Sequence, residues 1–115
     1  MEESILTSIK KLLGLEESYE QFDQEIIIHI NSVFGILTQL GVGPENGFSI
    51  TDKTATWTSF LGNDSTNLEG VKSYIYMKVR LIFDPPTATG VIESYNRMIN
   101  EFEWRLNVAA DKVAQ

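Results

Sequence analysis

The sequence predicts an all-α fold, a compact bundle of about four helices with a long central connection that has room for a small β-hairpin. Four segments repeat apolar residues at the three- and four-residue spacing of a helix, and glycine or proline follows each of the first three. The chain has 115 residues, of which 43% are hydrophobic, which is sufficient for one core. We therefore expect a single helical domain over residues 1–110 and a frayed tail over residues 111–115.

The first helix is predicted over residues 4–13. Lys10 and Lys11 lie off its apolar face, and Gly14 stands where a left-handed C-terminal cap belongs. The apolar face consists of Ile5, Leu6, Ile9, Leu12 and Leu13. This pattern is typical of a short amphipathic helix packed on a core.

The second helix is predicted to begin with Asp23 as its N-cap, with Phe22 and Ile27 forming a hydrophobic staple around it. It ends at the glycine-rich residues 41–47. Ile28 points away from the apolar face of this helix. A single exposed isoleucine is ordinary on a protein surface, and the alternative is a contact with another subunit.

Residues 48–57 alternate apolar and polar side chains around the sequence TDKT, which allows a small hairpin. A helical turn closed by Gly62 should follow. The polar residues after it, NDSTN, supply Ser65 or Asn67 as the N-cap of the next helix.

The third long helix is the most apolar segment, and it ends at Asp84 because Pro85 and Pro86 disfavour further helical turns. Its apolar arc is too wide for one neighbour to cover, so we expect this helix to be central. Lys78 falls within that arc. Its ammonium must reach solvent or meet a carboxylate, and the alternative is a salt bridge across a subunit boundary.

The last helix is predicted over residues 89–108. On its polar side, residues of opposite charge stand at four-residue intervals, each pair worth about 0.3 kcal/mol; they are Glu93, Arg97, Glu101 and Arg105. Trp104 lies among them and not on the apolar face. This position predicts a contact with another chain, and the alternative is that a bend of the helix or the N-terminal helix takes Trp104 into the core.

Composition argues against several classes of function. The formal charge is −7, because 9 Lys and Arg face 16 Asp and Glu, so tight binding to DNA is not expected. The chain has no cysteine, hence no disulfide, thiolate zinc site or cysteine nucleophile. The beginning, MEESILTSIKK, lacks the apolar core of a signal peptide, and no run approaches the length of a membrane-spanning helix.

Residues suited to catalysis are few. The single histidine, His29, follows Glu25 by one helical turn, which predicts an ordinary surface pair. The spacing of Glu17, Glu20 and Asp23 is similar to the magnesium-binding carboxylates of all-helical nucleotide pyrophosphohydrolases, but here these residues fall in a connection and at a helix start. We therefore predict no enzymatic activity, no cofactor and no metal site, and keep such an enzyme as the third interpretation.

Several segments together resemble one known family. They are LTSIKKLLG, INSVFGILTQLGVG, FSI followed by Trp57, VKSYIYMKVRLIFDPP and EFEWRLN, and they extend over nearly the whole chain. This sequence is similar to the head-tail connector family of tailed double-stranded DNA bacteriophages and their prophages, proteins also described as head-completion or DNA-packaging proteins. The similarity lies in the overall pattern, since no segment is catalytic.

The resemblance implies a structural virion protein: an all-helical adaptor subunit that forms a portal-matched ring of the dodecamer class and joins head to tail. It implies the portal and the next connector, stopper or tail-completion protein as partners, a DNA channel that does not bind DNA tightly, no membrane and no cofactor. The protein would act at the head-tail interface of the virion after assembly in the host bacterial cytoplasm. The candidate subunit or portal interface consists of Trp104, Arg97, Arg105, Ile28 and Lys78.

A second interpretation belongs to a different class of protein. A small helical protein-protein interaction module of a phage or bacterial regulator, acting as a dimer, would show the same amphipathic helices and the same lack of catalytic residues. The two interpretations differ in the assembly that they predict, a ring on a portal or a free dimer.

Overall fold

The computed structural model describes residues 4–62 and 68–114, and within them the chain forms five helices and no strand. The helices are α1 (Ile5–Leu12), α2 (Asp23–Gln39), α3 (Trp57–Leu61), α4 (Leu68–Phe83) and α5 (Thr89–Ala114). The predicted all-α fold is confirmed. The short helix α3 is the predicted helical turn, and Gly62 is its C-cap.

Helix α4 occupies the centre of the bundle, as its wide apolar arc predicts. It packs against α1, α2 and α5. The buried residues on α4 are Val71, Tyr74, Ile75, Met77 and Val79. The predicted N-cap residues of this helix, Ser65 and Asn67, lie outside the described residues.

Helix α1 buries Ile5, Leu6 and Ile9 as its sequence predicts, but two residues depart from the prediction. Lys10 is only 2% exposed, whereas Leu12 is 47% exposed. The chain after α1 folds back over Lys10, whose ammonium donates to the main-chain oxygen of Glu17 at 2.9 Å and pairs with Oδ1 of Asp23 at 2.9 Å. The prediction that Lys10 lies off the buried face was therefore wrong.

The start of α2 differs from the prediction for the same reason. Asp23 is the first helical residue and not the N-cap, because its carboxylate binds Lys10. Phe22 occupies the N-cap position and makes no side-chain cap hydrogen bond. Its ring instead packs edge-on against Phe83 and Tyr19, with centroid distances of 5.4 and 5.8 Å.

No hairpin forms in residues 48–57. The main chain of Ile50 is instead bound by the side chain of Asn31 on α2, which donates to the carbonyl at 2.9 Å and accepts from the amide at 2.8 Å. This side-chain amide satisfies the groups that a partner strand would bind. The buried Ile50 is thus fixed to the bundle without a second strand.

The turn after α2 closes over an aromatic cluster. The rings of Phe34, Phe48 and Phe60 lie within 4.6–5.2 Å of one another between centroids. Gly43 has a φ of +85°, and a Cβ added there would collide with the ring of Phe60. Glycine is therefore required at this position.

Helix α5 continues to Ala114, six residues beyond the predicted end at Val108. Fraying of residues 111–115 stays a prediction, as does the division of the chain into a domain and a tail. Within the part of the chain that the structure describes, no helix has both the length and the apolarity to span a membrane.

Candidate protein-interaction surfaces

Trp104 lies on the outer side of α5. Its side chain is 68% exposed, while Ile99 and Leu106 on the same helix are buried at 5% and 4%. The exposed indole excludes the alternative in which Trp104 enters the core. Among the described residues it has no hydrogen-bond or ring partner.

Arg97 and Arg105 stand beside Trp104 on α5. Arg105 donates to Oε1 of Glu101 at 2.6 Å, and both side chains are more than half exposed. Arg97 donates to Oγ of Ser94 at 3.2 Å and not to a carboxylate. Of the predicted series of ion pairs along α5, the pair between Glu101 and Arg105 is thus present among the described residues.

Ile28 lies on α2 and is 62% exposed, so it faces away from the core as predicted. The exposed stripe of α2 around it has little charge. The stripe contains Gln24, Ile28, Ser32, Gly35 and Gln39. Interface centres are typically depleted in charged residues, although one such stripe does not by itself identify a partner.

Lys78 is half-buried on α4. It has no carboxylate partner among the described residues. Ile82, one turn further along α4, is 57% exposed. A salt bridge from Lys78 to another subunit therefore stays a prediction. Trp104, Arg97 and Arg105 share one helix, whereas Ile28 and Lys78 lie on two others.

One cluster was missed by the sequence analysis. Arg80 and Tyr76 on α4 meet Tyr95 on α5: the guanidinium Nη1 donates to the Tyr76 hydroxyl at 2.9 Å and to the Tyr95 hydroxyl at 2.7 Å. The two hydroxyl oxygens lie 3.3 Å apart. The four-residue spacing of Tyr76 and Arg80 was visible in the sequence, but nothing in the sequence placed Tyr95 beside them.

The cluster also changes proton affinities. The hydrogen bond to Tyr76 raises the pKa of Arg80, so the guanidinium stays charged. Burial and the hydrogen bond to Tyr76 raise the pKa of Tyr95. The Tyr95 phenol therefore remains protonated near neutral pH and keeps an O–H group to donate.

The candidate catalytic residues do not converge. His29 Nε2 lies 3.8 Å from Glu25 Oε1, which is the predicted surface pair. Asp23 of the acidic series is paired with Lys10. No three His, Cys, Asp or Glu side chains within residues 4–62 and 68–109 are placed to hold a metal ion.

Among known protein families, one has a model that matches this chain. The family model of phage connector proteins matches residues 5–113, nearly the whole chain. This chain belongs to the phage connector protein family. Searches of curated proteins and of solved structures gave no match.

Membership in the phage connector family confirms the resemblance found in the sequence. It gives the chain a structural connector role in a phage and implies a location at the head-tail connection of the virion. Such structural connectors are not enzymes in general, and their partners are proteins associated with the portal and the tail.

Proposed function

We propose that this connector subunit forms a ring beneath the portal, extends the DNA channel and joins the head to the tail. The family match over residues 5–113 supports the connector role. The single structural observation that favours assembly is Trp104, whose side chain is 68% exposed. An indole buries a large apolar area when it is covered, so leaving it in water has a free-energy cost that a contact removes.

The surroundings of Trp104 are those of an interface anchor. Arg97, Glu101 and Arg105 lie around it on the same side of α5 and are exposed. Energetically dominant interface residues are enriched in tryptophan and arginine, and polar groups at the edge of the contact exclude water from them. In the proposed ring, Trp104 inserts into an adjacent subunit or the portal, and Arg97 and Arg105 bind carboxylates at its edge.

A ring made from one kind of subunit needs two different surfaces that fit each other. The side of α5 with Trp104 is one of them. The stripe of α2 that contains Ile28 is the second candidate, since it lies on another helix and has few charges. We assign Lys78 to the edge of such a contact, where a carboxylate of the next subunit would pair with it.

The net charge of −7 fits a channel through which DNA passes. Acidic walls repel phosphates, so the duplex slides and is not held. We expect no detectable binding of the isolated protein to duplex DNA at about 0.15 M salt. Micromolar binding with a steep dependence on salt would contradict this part of the proposal.

The decisive experiment is cryo-electron microscopy of the purified protein mixed with its portal. The expected result is rings of this subunit stacked coaxially on portal rings, with α5 at a subunit or portal contact. A stable dimer that ignores the portal would instead favour the regulator-type interaction module. Addition of the next connector or tail-completion protein should then extend the same axis.

A further inference from the structure

The guanidinium of Arg80 is part of a cluster of hydrogen-bond donors that has no carboxylate partner among the described residues. Arginine has five N–H groups. Those on Nη1 are used by the hydroxyls of Tyr76 and Tyr95, whereas Nη2 and Nε have no acceptor among the described residues. One of the two phenol protons can bridge the 3.3 Å between the oxygens, which leaves the other free to donate.

The cluster is also held in place. Arg80 and Tyr76 lie one turn apart on α4 and Tyr95 lies on α5, so two helices that pack against each other hold the three residues. The guanidinium carbon is 5.6 Å from the centre of the Tyr95 ring. A guanidinium fixed by two hydroxyls and a ring loses little conformational entropy when it binds an anion.

We propose that Arg80, with Tyr76 and Tyr95, is a binding site for a carboxylate from an Asp or Glu side chain of another protein molecule. Planar guanidinium N–H groups match the two oxygens of a carboxylate, and such charge-assisted bonds are the stronger kind. The proposal goes beyond ring formation, because it names a contact whose test needs no ring.

The charge of the chain favours a carboxylate over a phosphate. A surface that binds nucleic acid presents several cations together, but Arg80 has two tyrosines as its nearest polar partners and the chain has an excess of seven acidic groups. A second molecule with a similar excess of acidic groups is repelled by this chain, so a close contact between the two needs a cation such as Arg80. Residues 15–21, LEESYEQ, are an example of a segment with carboxylates that fit this site. Their glutamates are exposed and lack side-chain partners among the described residues.

The test is an NMR titration of the dilute protein with the peptide acetyl-LEESYEQ-amide, following the side-chain N–H signals of Arg80 and the backbone amide signals of Tyr76 and Tyr95. The backbone amide signals also measure binding in variants that lack the guanidinium. We expect saturable shifts with a dissociation constant on the order of 1–10 mM and none with the control peptide acetyl-LQQSYQQ-amide. Arg80→Gln should weaken binding about tenfold or more. Lys53→Gln, which removes one exposed charge elsewhere, should leave it unchanged.

Several results would overturn the proposal. Two of them are equal shifts with both peptides and no shift with either peptide. The third is tighter binding of inorganic phosphate than of the acidic peptide, which would assign the cluster to a nucleic acid. If Arg80→Gln does not fold, Tyr95→Phe replaces it, because it keeps the ring and removes one hydroxyl; binding should then weaken a few-fold. Shifts of the Arg80 signals on raising the protein concentration alone assign the carboxylate to a second copy of this chain. Peptide binding without such shifts assigns it to a different protein of the particle.

Discussion

The hydroxyl of Tyr74 donates a 2.7 Å hydrogen bond to Oε2 of Glu103 and so joins the central helix α4 to α5. Tyr74 is completely buried, and Glu103 is half-buried. Burial raises the pKa of Tyr74, and the hydrogen bond to Glu103 and the charge of that carboxylate raise it further. The phenol therefore keeps its proton at pH values where an unfolded tyrosine has lost it.

This raised pKa predicts a loss of stability at alkaline pH. Above a pH of about 10, the unfolded chain releases the Tyr74 proton while the folded chain retains it, so the free energy of unfolding falls as the pH rises. Below that pH, the protonated Tyr74 makes its full contribution to the free energy of unfolding. Urea unfolding across this range should show a shallower decline for Tyr74→Phe than for the wild type. An unchanged decline would mean that Tyr74 ionises normally.

The ion pair between Lys10 and Asp23 gives a second prediction. The lysine side chain is 3% exposed and the aspartate side chain 19%. Asp23→Ala leaves a buried ammonium with only the Glu17 carbonyl, and such a loss typically costs about 3 kcal/mol or more. Urea unfolding measures it. The control is Glu101→Ala, which breaks an exposed pair and should cost about 0.5 kcal/mol at most; similar costs for both would refute a structural role for the buried pair.

The sequence predicts the helices of this fold better than their connections. The periodicity of α4 and α5 is a local property, and both helices begin where it predicts them, although α5 continues to Ala114. Lys10 was misplaced because its burial depends on the return of residues 13–22, which no helical face shows. Likewise, Asn31 binds Ile50 across 19 positions of sequence, so alternation alone could not exclude a hairpin. The cluster of Arg80 and Tyr95 was missed because it depends on how two helices pack.

Gly35 gives a prediction about the exposed stripe of α2. It lies inside the helix, and a Cβ added there would meet nothing within 4 Å. Gly35→Ala should therefore stabilise the subunit by about 0.5–1 kcal/mol, since glycine loses more backbone entropy in a helix. Gly43→Ala is the control, because its φ of +85° and the ring of Phe60 make it destabilising. Thermal unfolding separates the two, and a destabilising Gly35→Ala would show that the stripe is not open.

The two tryptophans of the chain give a matched test of the proposed interface. Trp104 is 68% exposed, whereas Trp57 is 6% exposed and donates from its indole nitrogen to Ser8 at 2.9 Å. Trp104→Ala should change the free energy of unfolding of the monomer by about 0.5 kcal/mol or less. Trp57→Ala should cost about 3–5 kcal/mol, the usual range for removal of a core aromatic.

Trp104→Ala should abolish assembly and leave the stability of the monomer almost unchanged. Truncation of an interface anchor costs about 2 kcal/mol or more in binding, so the variant should melt like the wild type and yet fail to form rings or to bind the portal in sedimentation and electron microscopy. Normal rings from Trp104→Ala would remove this residue from the interface. A monomer weakened by several kcal/mol would show that the indole packs within its own subunit, because only lost intramolecular contacts can lower the stability of an isolated chain.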